Sequence, residues 1–360
     1  LYEISIGSEN GSVEANTNGS GMFAYLDNVS TLDLNGLDTS NMTSMSKMFY
    51  KSTSLTNIDT SGFDTSKVVN MNGMFTGCTN LKTLDVSNFK TSKVTDMNNM
   101  FEDCSSLTTL DLSNFDTSNV LYMGNPYSYG YGGMFRNCSS LINLNISSFN
   151  TSKVKYMSNM FHGCSSLVTL DLSNFDTINV TAMASMFGKC TSLKNLNLSS
   201  FNTSKVTDMD SMFMNCKSLA DLNLSSFNTS SVQTFKQMFF NCSSLVNLDL
   251  SGFDTSNAIS MWHMFSGSSN LETLDLSNFT TSKLETTYFM FYNCSKLKTI
   301  YVSNEWVTTS LKTSSGMFTN CSSLIGTSPE GITTKYDSTK IDATMANYTT
   351  GYLTYKKNTN

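Results

Sequence analysis

The 360-residue chain is sparsely charged: charged residues make up 14%, the formal net charge is −6, and Arg136 is the single arginine. With no basic stripe to neutralise phosphates, nucleic-acid binding is discounted, and no apolar run approaches the ~18 residues of a membrane-spanning helix. The chain starts at Leu1 rather than Met and shows no signal peptide, so it reads as a mature or truncated fragment.

One stretch returns almost verbatim down the chain. Phe89 to Leu107 reads Phe-Lys-Thr-Ser-Lys-Val-Thr-Asp-Met-Asn-Asn-Met-Phe-Glu-Asp-Cys-Ser-Ser-Leu, and its Met-Phe pair recurs at 22/23, 48/49, 74/75, 100/101, 134/135, 160/161, 186/187, 212/213, 238/239, 264/265, 290/291 and 317/318. Ten of the eleven steps are 26 or 27 residues and one is 34. A fixed period in this range is the signature of a solenoid, in which each coil contacts only its neighbours.

At the N-terminus, Leu1, Ile4 and Ile6 carry strand spacing, and residues 7–21 read as a loop or a worn first coil, so 1–21 is a partial coil or edge. From Met22 to about residue 325 the register is regular. Leu107-x-x-Leu110-x-Leu112 and its equivalents alternate with period two, which predicts a short half-buried strand pairing in parallel with the next coil's. Val94-x-x-Met97-x-x-Met100-Phe101 steps by three and four, which predicts a short helix of about ten residues, partly 3₁₀ in character, N-capped by Ser92 or Thr91. The residue before each cysteine slot is Gly, Asn or Asp except at Lys51 and Lys189, as expected for a left-handed stop. A phenylalanine between strand and helix (Phe63, Phe89, Phe115 and so on) predicts an aromatic spine.

The nine cysteines fall one per repeat in the same slot, which Ser52 and Ser268 fill in two others. Stacked parallel side chains are poorly placed for disulfides, so a row of buried free thiols is expected. Between Val120 and Met134 the chain inserts eight residues in a stretch rich in glycine and tyrosine, from Leu121 to Gly133. Insertions in solenoids map to surface loops, and Tyr122, Tyr127, Tyr129 and Tyr131 there are candidate ligand contacts. After Phe318 the pattern decays; Pro329 should end strand pairing, and 326–360 is expected to cap the last coil with Ile332, Tyr336, Ile341, Met345, Tyr348, Tyr352 and Leu353, leaving 356–360 as a tail.

The motif Leu-x-x-Leu-Asp-Leu-Ser-Asn-Phe-Asp-Thr-Ser-x-Val-x-x-Met-x-x-Met-Phe-x-x-Cys-Ser-Ser-Leu, over about 22–325, resembles the BspA-like leucine-rich-repeat surface proteins of bacteria, in the subtype also found in mycoplasma lipoproteins. Tyr336-Asp337-Ser338-Thr339-Lys340 through Gly351-Tyr352-Leu353-Thr354 is similar to the segment that often closes such arrays. The resemblance implies an α/β solenoid, a leucine-rich-repeat-like right-handed coil of 26-residue repeats with a parallel sheet on one side and short helices on the other. It also implies cell-surface or secreted placement and a role in adhesion or host contact, with no catalytic residues.

The outward strand positions form a polar, mildly acidic face about eleven strands long, on the order of 50 Å at ~4.8 Å per strand. Asp85, Asp111, Asp171, Asp249 and Asp275 lie on it and are the other candidate ligand contacts. Calcium is disfavoured, because Asp111/Asp116 and Asp171/Asp176 become Asn197/Asn202 and Asn223/Asn228 in other coils and Ca²⁺ wants six to eight oxygens. His162 and His263 are four repeats apart, and no nucleophile triad, zinc set or phosphate loop appears. The reading is therefore a non-enzymatic, monomeric surface module that needs no cofactor or metal and binds a protein or glycan on a host or bacterial surface. The alternatives are a structural spacer and a glycan-binding module.

Overall fold

The computed structural model describes residues 2–6, 11–126 and 132–357. It divides into two compact units, Leu1–Val180 and Thr181–Asn360. Each is a β-solenoid in which equivalent residues of successive coils lie in columns. In the first unit Tyr2–Ser5, Val29–Asp33 and Asn57–Ile58 form a parallel sheet with Ile4 opposite Leu32 and Leu32 opposite Ile58. Thr109–Asp111 pairs with Asn143–Asn145 across the insertion, Leu110 opposite Leu144. In the second unit Asp221–Asn223 pairs with Asn247–Asp249, and Thr273–Asp275 with Thr299–Val302. About half a coil further on, a second column of parallel bridges joins Ser44, Asn70, Asp96, Tyr122 and Tyr156, and in the second unit Thr234, Ser260, Thr286 and Thr313.

The expected helices are absent. Among the described residues the one helical element is a 3₁₀ turn at Ala343–Met345. The Met-x-x-Met-Phe segment is instead a run of β-turns, and its hydrogen bonds show why. The N–H groups of Met71, Gly73, Phe75 and Gly77 donate along the stack to the carbonyls of Asp96, Asn98, Met100 and Glu102 (2.8–3.0 Å). The intervening amides of Met74, Thr76 and Cys78 donate three residues back, to Met71, Gly73 and Phe75. Alternate amides thus leave the coil, and no i→i−4 ladder can form. The backbone also turns left-handed twice per segment, at Asn99 (φ 62°) and Asp103 (φ 59°), the third positions of the turns 97–100 and 101–104, where a type II turn requires φ > 0. The second of these columns is the expected left-handed stop, and Lys51 (φ 53°) and Lys189 (φ 59°) adopt it too.

Inside the coils the Met, Phe, Val and Leu columns are buried almost throughout, with Met22 at the start and the half-buried Leu144, Leu196 and Leu248 among the exceptions, at roughly 1.5–3 kcal/mol per large side chain. Two phenylalanine columns stack like on like. Phe49, Phe75, Phe101 and Phe135 succeed one another at 5.4–5.8 Å with planes within 4° of parallel, and Phe63, Phe89 and Phe115 at 6.3–6.5 Å, offset geometries that suit the ring quadrupole.

Polar side chains in the core close the remaining backbone valences. Thr91 and Ser92 cap no helix. Thr91 is buried, and its hydroxyl donates to the Asp116 carbonyl of the next coil at 3.0 Å. Thr117 does both halves of the same job, donating to the Asn150 carbonyl (2.9 Å) and accepting from the Asn150 amide (2.8 Å). The nine cysteines are free and buried. The Cys104 and Cys138 thiols donate to the Phe75 and Phe101 carbonyls of the preceding coil at 3.2 and 3.1 Å. Ser52 and Ser268 make the equivalent bond to Phe23 and Phe239, so the slot selects a small donor. Burial pushes the Cys78, Cys242 and Cys321 thiols up to about 12.

The insertion leaves and rejoins the coil through a narrow neck. Met134 N–H donates to the Met123 carbonyl, and Gly124 faces Gly133 in an antiparallel bridge. A Cβ on Gly133 would lie 2.2 Å from the Asn159 carbonyl oxygen, so the neck is glycine because the next coil presses on it. At the C-terminus strand pairing runs past its expected end: Ile325–Thr327 pairs antiparallel with Thr333–Lys335, and Thr354–Tyr355 inserts between Thr299–Val302 and Ile325–Thr327. Pro329 falls in the turn beyond. Tyr352 and Leu353 are fully buried, Tyr352 edge-on to Phe318 at 5.4 Å, whereas Ile332 is 65% exposed.

Because all nine thiols are buried, and burial raises the pKa of Cys78, Cys104, Cys138, Cys216, Cys242, Cys294 and Cys321, the native protein should leave all nine unlabelled by a thiol reagent at pH 8, while the denatured protein takes up nine equivalents. Cys104→Ser should fold, and Cys104→Leu should lose ~1–3 kcal/mol to overpacking in a denaturant titration.

Candidate functional site

The outward face of the first unit's strand column is concave. Side chains from Asn57 to Asp171 line a shallow depression of about 1020 Å³. Its floor alternates exposed Thr83, Thr109, Asn143 and Thr169 with carboxylates from Asp59, Asp85, Asp111 and Asp171, and no lysine or arginine lines it. Successive coils place their side chains about 4.8 Å apart, so the carboxylates form a row.

Each carboxylate also has a local task. Asp85 Oδ1 accepts from the Ser87 amide at 2.9 Å, Asp111 from Ser113 at 3.0 Å and Asp171 from Ser173 at 2.9 Å. These are Asx turns, in which a short side chain closes the bend after the strand. Hydrogen bonds from those serine amides hold all three carboxyls below the usual range, so they are ionised at neutral pH. Asn145, Asn197 and Asn223 accept from their i+2 amides in the same way at 2.9–3.2 Å. The turn needs an acceptor oxygen and is indifferent to its charge, which explains the Asp/Asn alternation and makes charge at this column separable from fold.

The other candidates are not gathered here. Asp249 and Asp275 belong to the second unit. Asp249 closes its own turn on Ser251 (2.9 Å). Asp275 pairs with Lys356, whose ammonium sits 5.7 Å over the Tyr301 ring. Partial cover raises the Asp275 pKa, and the bonds from Lys356 and Ser277 outweigh it and bring it below the usual value. Tyr122 is half-buried in the second bridge column, stacked on Tyr156 at 5.6 Å, about half a coil from the strand face. Tyr127, Tyr129 and Tyr131 lie outside the described residues. Asp111 and Asp116 each cap a separate turn, on Ser113 and Ser118, and among the described residues no three His, Cys, Asp or Glu converge as a metal set would.

A family described as "Mycoplasma protein of unknown function, DUF285" matches residues 17–130, 130–245 and 219–328. The chain belongs to this family. No curated protein matches the chain. Among solved structures, it is similar to a leucine-rich-repeat protein of Leptospira interrogans at 17% identity, covering 80% of this chain and 74% of that one, with a TM-score of 0.28. An internalin of Listeria monocytogenes shows 16% identity over 84% and 86% with a TM-score of 0.25. Toll of Drosophila, in its complex with Spatzle, shows 16% identity over 84% and 44% with a TM-score of 0.29.

For this DUF285 chain, two features of the site escape sequence reasoning. The turn-closing task of the aspartates was signalled by the serine two residues on and by the Asp/Asn exchange between coils. The buried threonine column was signalled by its strict recurrence at 39, 65, 91, 117, 151, 177, 203, 229, 255 and 281, which a surface cap would not need.

Asp85→Asn/Asp111→Asn/Asp171→Asn should therefore keep the unfolding midpoint of the wild type, while the matching triple alanine variant, which opens three turns, should melt lower. Paired thermal melts followed by circular dichroism would show this, and equal melting of the two variants would contradict it.

Proposed function

We propose that the protein is a non-enzymatic interaction module whose first unit binds a basic segment of a partner protein along its concave strand face. The observation that carries the reading is the row of four ionised carboxylates on a depression lined by no cation. Such a row supplies complementary charge and steers association. Hydroxyls and amides between the carboxylates offer hydrogen-bond partners, and Ile142, 56% exposed, is an apolar contact among them, which favours a partner lying extended across the coils. The charge is dispensable to the turns, so it is free to serve a ligand.

The leucine-rich-repeat-type motif and the match to a mycoplasma family support a BspA-like affiliation, and with it placement at the cell surface or outside the cell and a partner on a host or bacterial surface. No helix among the described residues is long and apolar enough to cross a membrane.

Binding of the intact chain to an array of host-matrix and bacterial surface proteins, with polylysine as the basic reference, should be saturable. It should weaken as salt is raised and the Debye length falls from about 10 Å at 0.1 M towards about 3 Å at 1 M. The triple Asp→Asn variant, folded as above, should lose about tenfold or more. Retained affinity in that variant would remove the strand face from the account. Absence of any saturable partner would favour a spacer.

A further inference from the structure

The repeat holds its inward columns nearly constant, so departures in outward columns stand out. In the column just before the Met-Phe pair the backbone is left-handed in every coil except at Gly133, and most coils place a small or amide residue there: Gly73, Asn99, Asn159, Ser185 and Ser211. Two consecutive coils of the second unit instead hold His263 (φ 54°) and Phe289 (φ 52°). The turn imposes this conformation in these coils, as it does at Lys47 (φ 55°) and Gln237 (φ 54°), so the two rings stand in a position that bulky side chains rarely occupy.

The neighbouring outward columns change in these coils and in the one before them. Trp262 and Tyr288 stand where the first unit has Asn72 and Asn98, and Phe240 and Tyr292 where it has Thr76 and Glu102. All six rings are half-buried and contiguous: Trp262–His263 at 5.1 Å, Phe240–His263 at 5.7 Å, His263–Phe289 at 5.2 Å, Tyr288–Phe289 at 4.2 Å and Phe289–Tyr292 at 5.0 Å. Their planes are inclined by 36–81°, unlike the parallel stacks of the core, so faces and edges are both presented. Phe289 lies against Gly316, where a Cβ would come 2.1 Å from its ring. The cluster is thus supported from the next coil.

A polar edge borders the rings. Asn241 Nδ2 donates to Asn215 Oδ1 and Asn320 Nδ2 to Asn293 Oδ1, both at 2.7 Å. This relay runs from coil to coil and stops at Gly267, which stands between Asn241 and Asn293 in the column. Asn241 Oδ1 lies 3.3 Å from where a Gly267 Cβ would be. An amide acceptor on one side and the Asn293 amide donor on the other therefore flank the break, next in sequence to Phe240 and Tyr292.

We propose that this cluster is a binding platform for a neutral carbohydrate. A pyranose would lay its C–H face on Trp262 and Tyr288 and direct hydroxyls to Asn241 and Asn293. The chemistry fits in three respects. The surface is aromatic throughout, and burial lowers the His263 pKa, which favours its neutral form. Inclined aromatic faces beside paired donors and acceptors match a ligand that is apolar on its faces and hydroxylated at its rim. The half-buried rings leave on the order of 300 Å² of surface, against about 800 Å² per partner in a standard protein interface. The site lies in the second unit and is independent of the acidic face of the first.

The test is titration of the intact protein with the hits from an array of neutral oligosaccharides of glucose, galactose and N-acetylhexosamines, followed by tryptophan fluorescence. Of the two tryptophans, Trp306 is buried and Trp262 is half-exposed, so Trp262 reports. Wild type should show a saturable blue shift. Trp262→Ala/Tyr288→Ala should weaken array binding about tenfold or more, Trp262→Phe should restore most of it, and Asp85→Asn/Asp111→Asn/Asp171→Asn should bind sugar like wild type. Circular dichroism would verify that each variant is folded. No binding to any neutral glycan, undiminished binding by the double alanine variant, or capture through these rings of protein or nucleic acid only would each overturn the proposal.

Discussion

The structure depends on one backbone constraint: alternate amides of each coil donate to carbonyls about 25 residues ahead, in the next coil. The bonds from Met71, Gly73, Phe75 and Gly77 set this pattern, and the strand column repeats it, as where Leu224 N–H donates to the Asp249 carbonyl. Once the coils are held in that register, identical side chains must lie over one another. Phenylalanines then stack, thiols reach the preceding Phe carbonyl, and threonine hydroxyls bridge coils that the backbone leaves unpaired. A single coil has none of these partners, so folding free energy resides in the contacts between neighbours.

What could be read beforehand follows from this arrangement. The period, the inward columns, the parallel strands and the free thiols all derive from residue identity repeated at fixed intervals, and 26-residue spacing carries them directly. The turn segment was ambiguous for a physical reason. Inward side chains three apart are produced equally by a helix face and by a chain of β-turns, so the step from Met97 to Met100 does not separate them. The deciding signal was a second column of Gly and Asn, four residues before the familiar one, at Gly73, Asn99 and Asn159; two left-handed residues four apart exclude a helix between them.

The candidate sites were legible to a lesser degree because outward residues do two jobs. Asp85, Asp111 and Asp171 look like ligand contacts and are also turn closures, and only the geometry of the Ser87, Ser113 and Ser173 amides separates the roles. The aromatic cluster around His263 was missed for the opposite reason. Its members sit in columns usually held by small or polar residues, such as Asn72, Asn98, Thr76 and Glu102, and the consensus hides the coils that leave it. In a repeat protein the shared residues explain the fold, and the exceptions carry the information about ligands.

The most direct measurement of the central constraint is the detection of scalar couplings across hydrogen bonds in isotope-labelled protein. Couplings should connect the amide nitrogens of Met71, Gly73, Phe75 and Gly77 to the carbonyl carbons of Asp96, Asn98, Met100 and Glu102. Couplings within the segment that run four residues back, such as Met100 nitrogen to the Asp96 carbonyl carbon, would show a helix there and contradict the account.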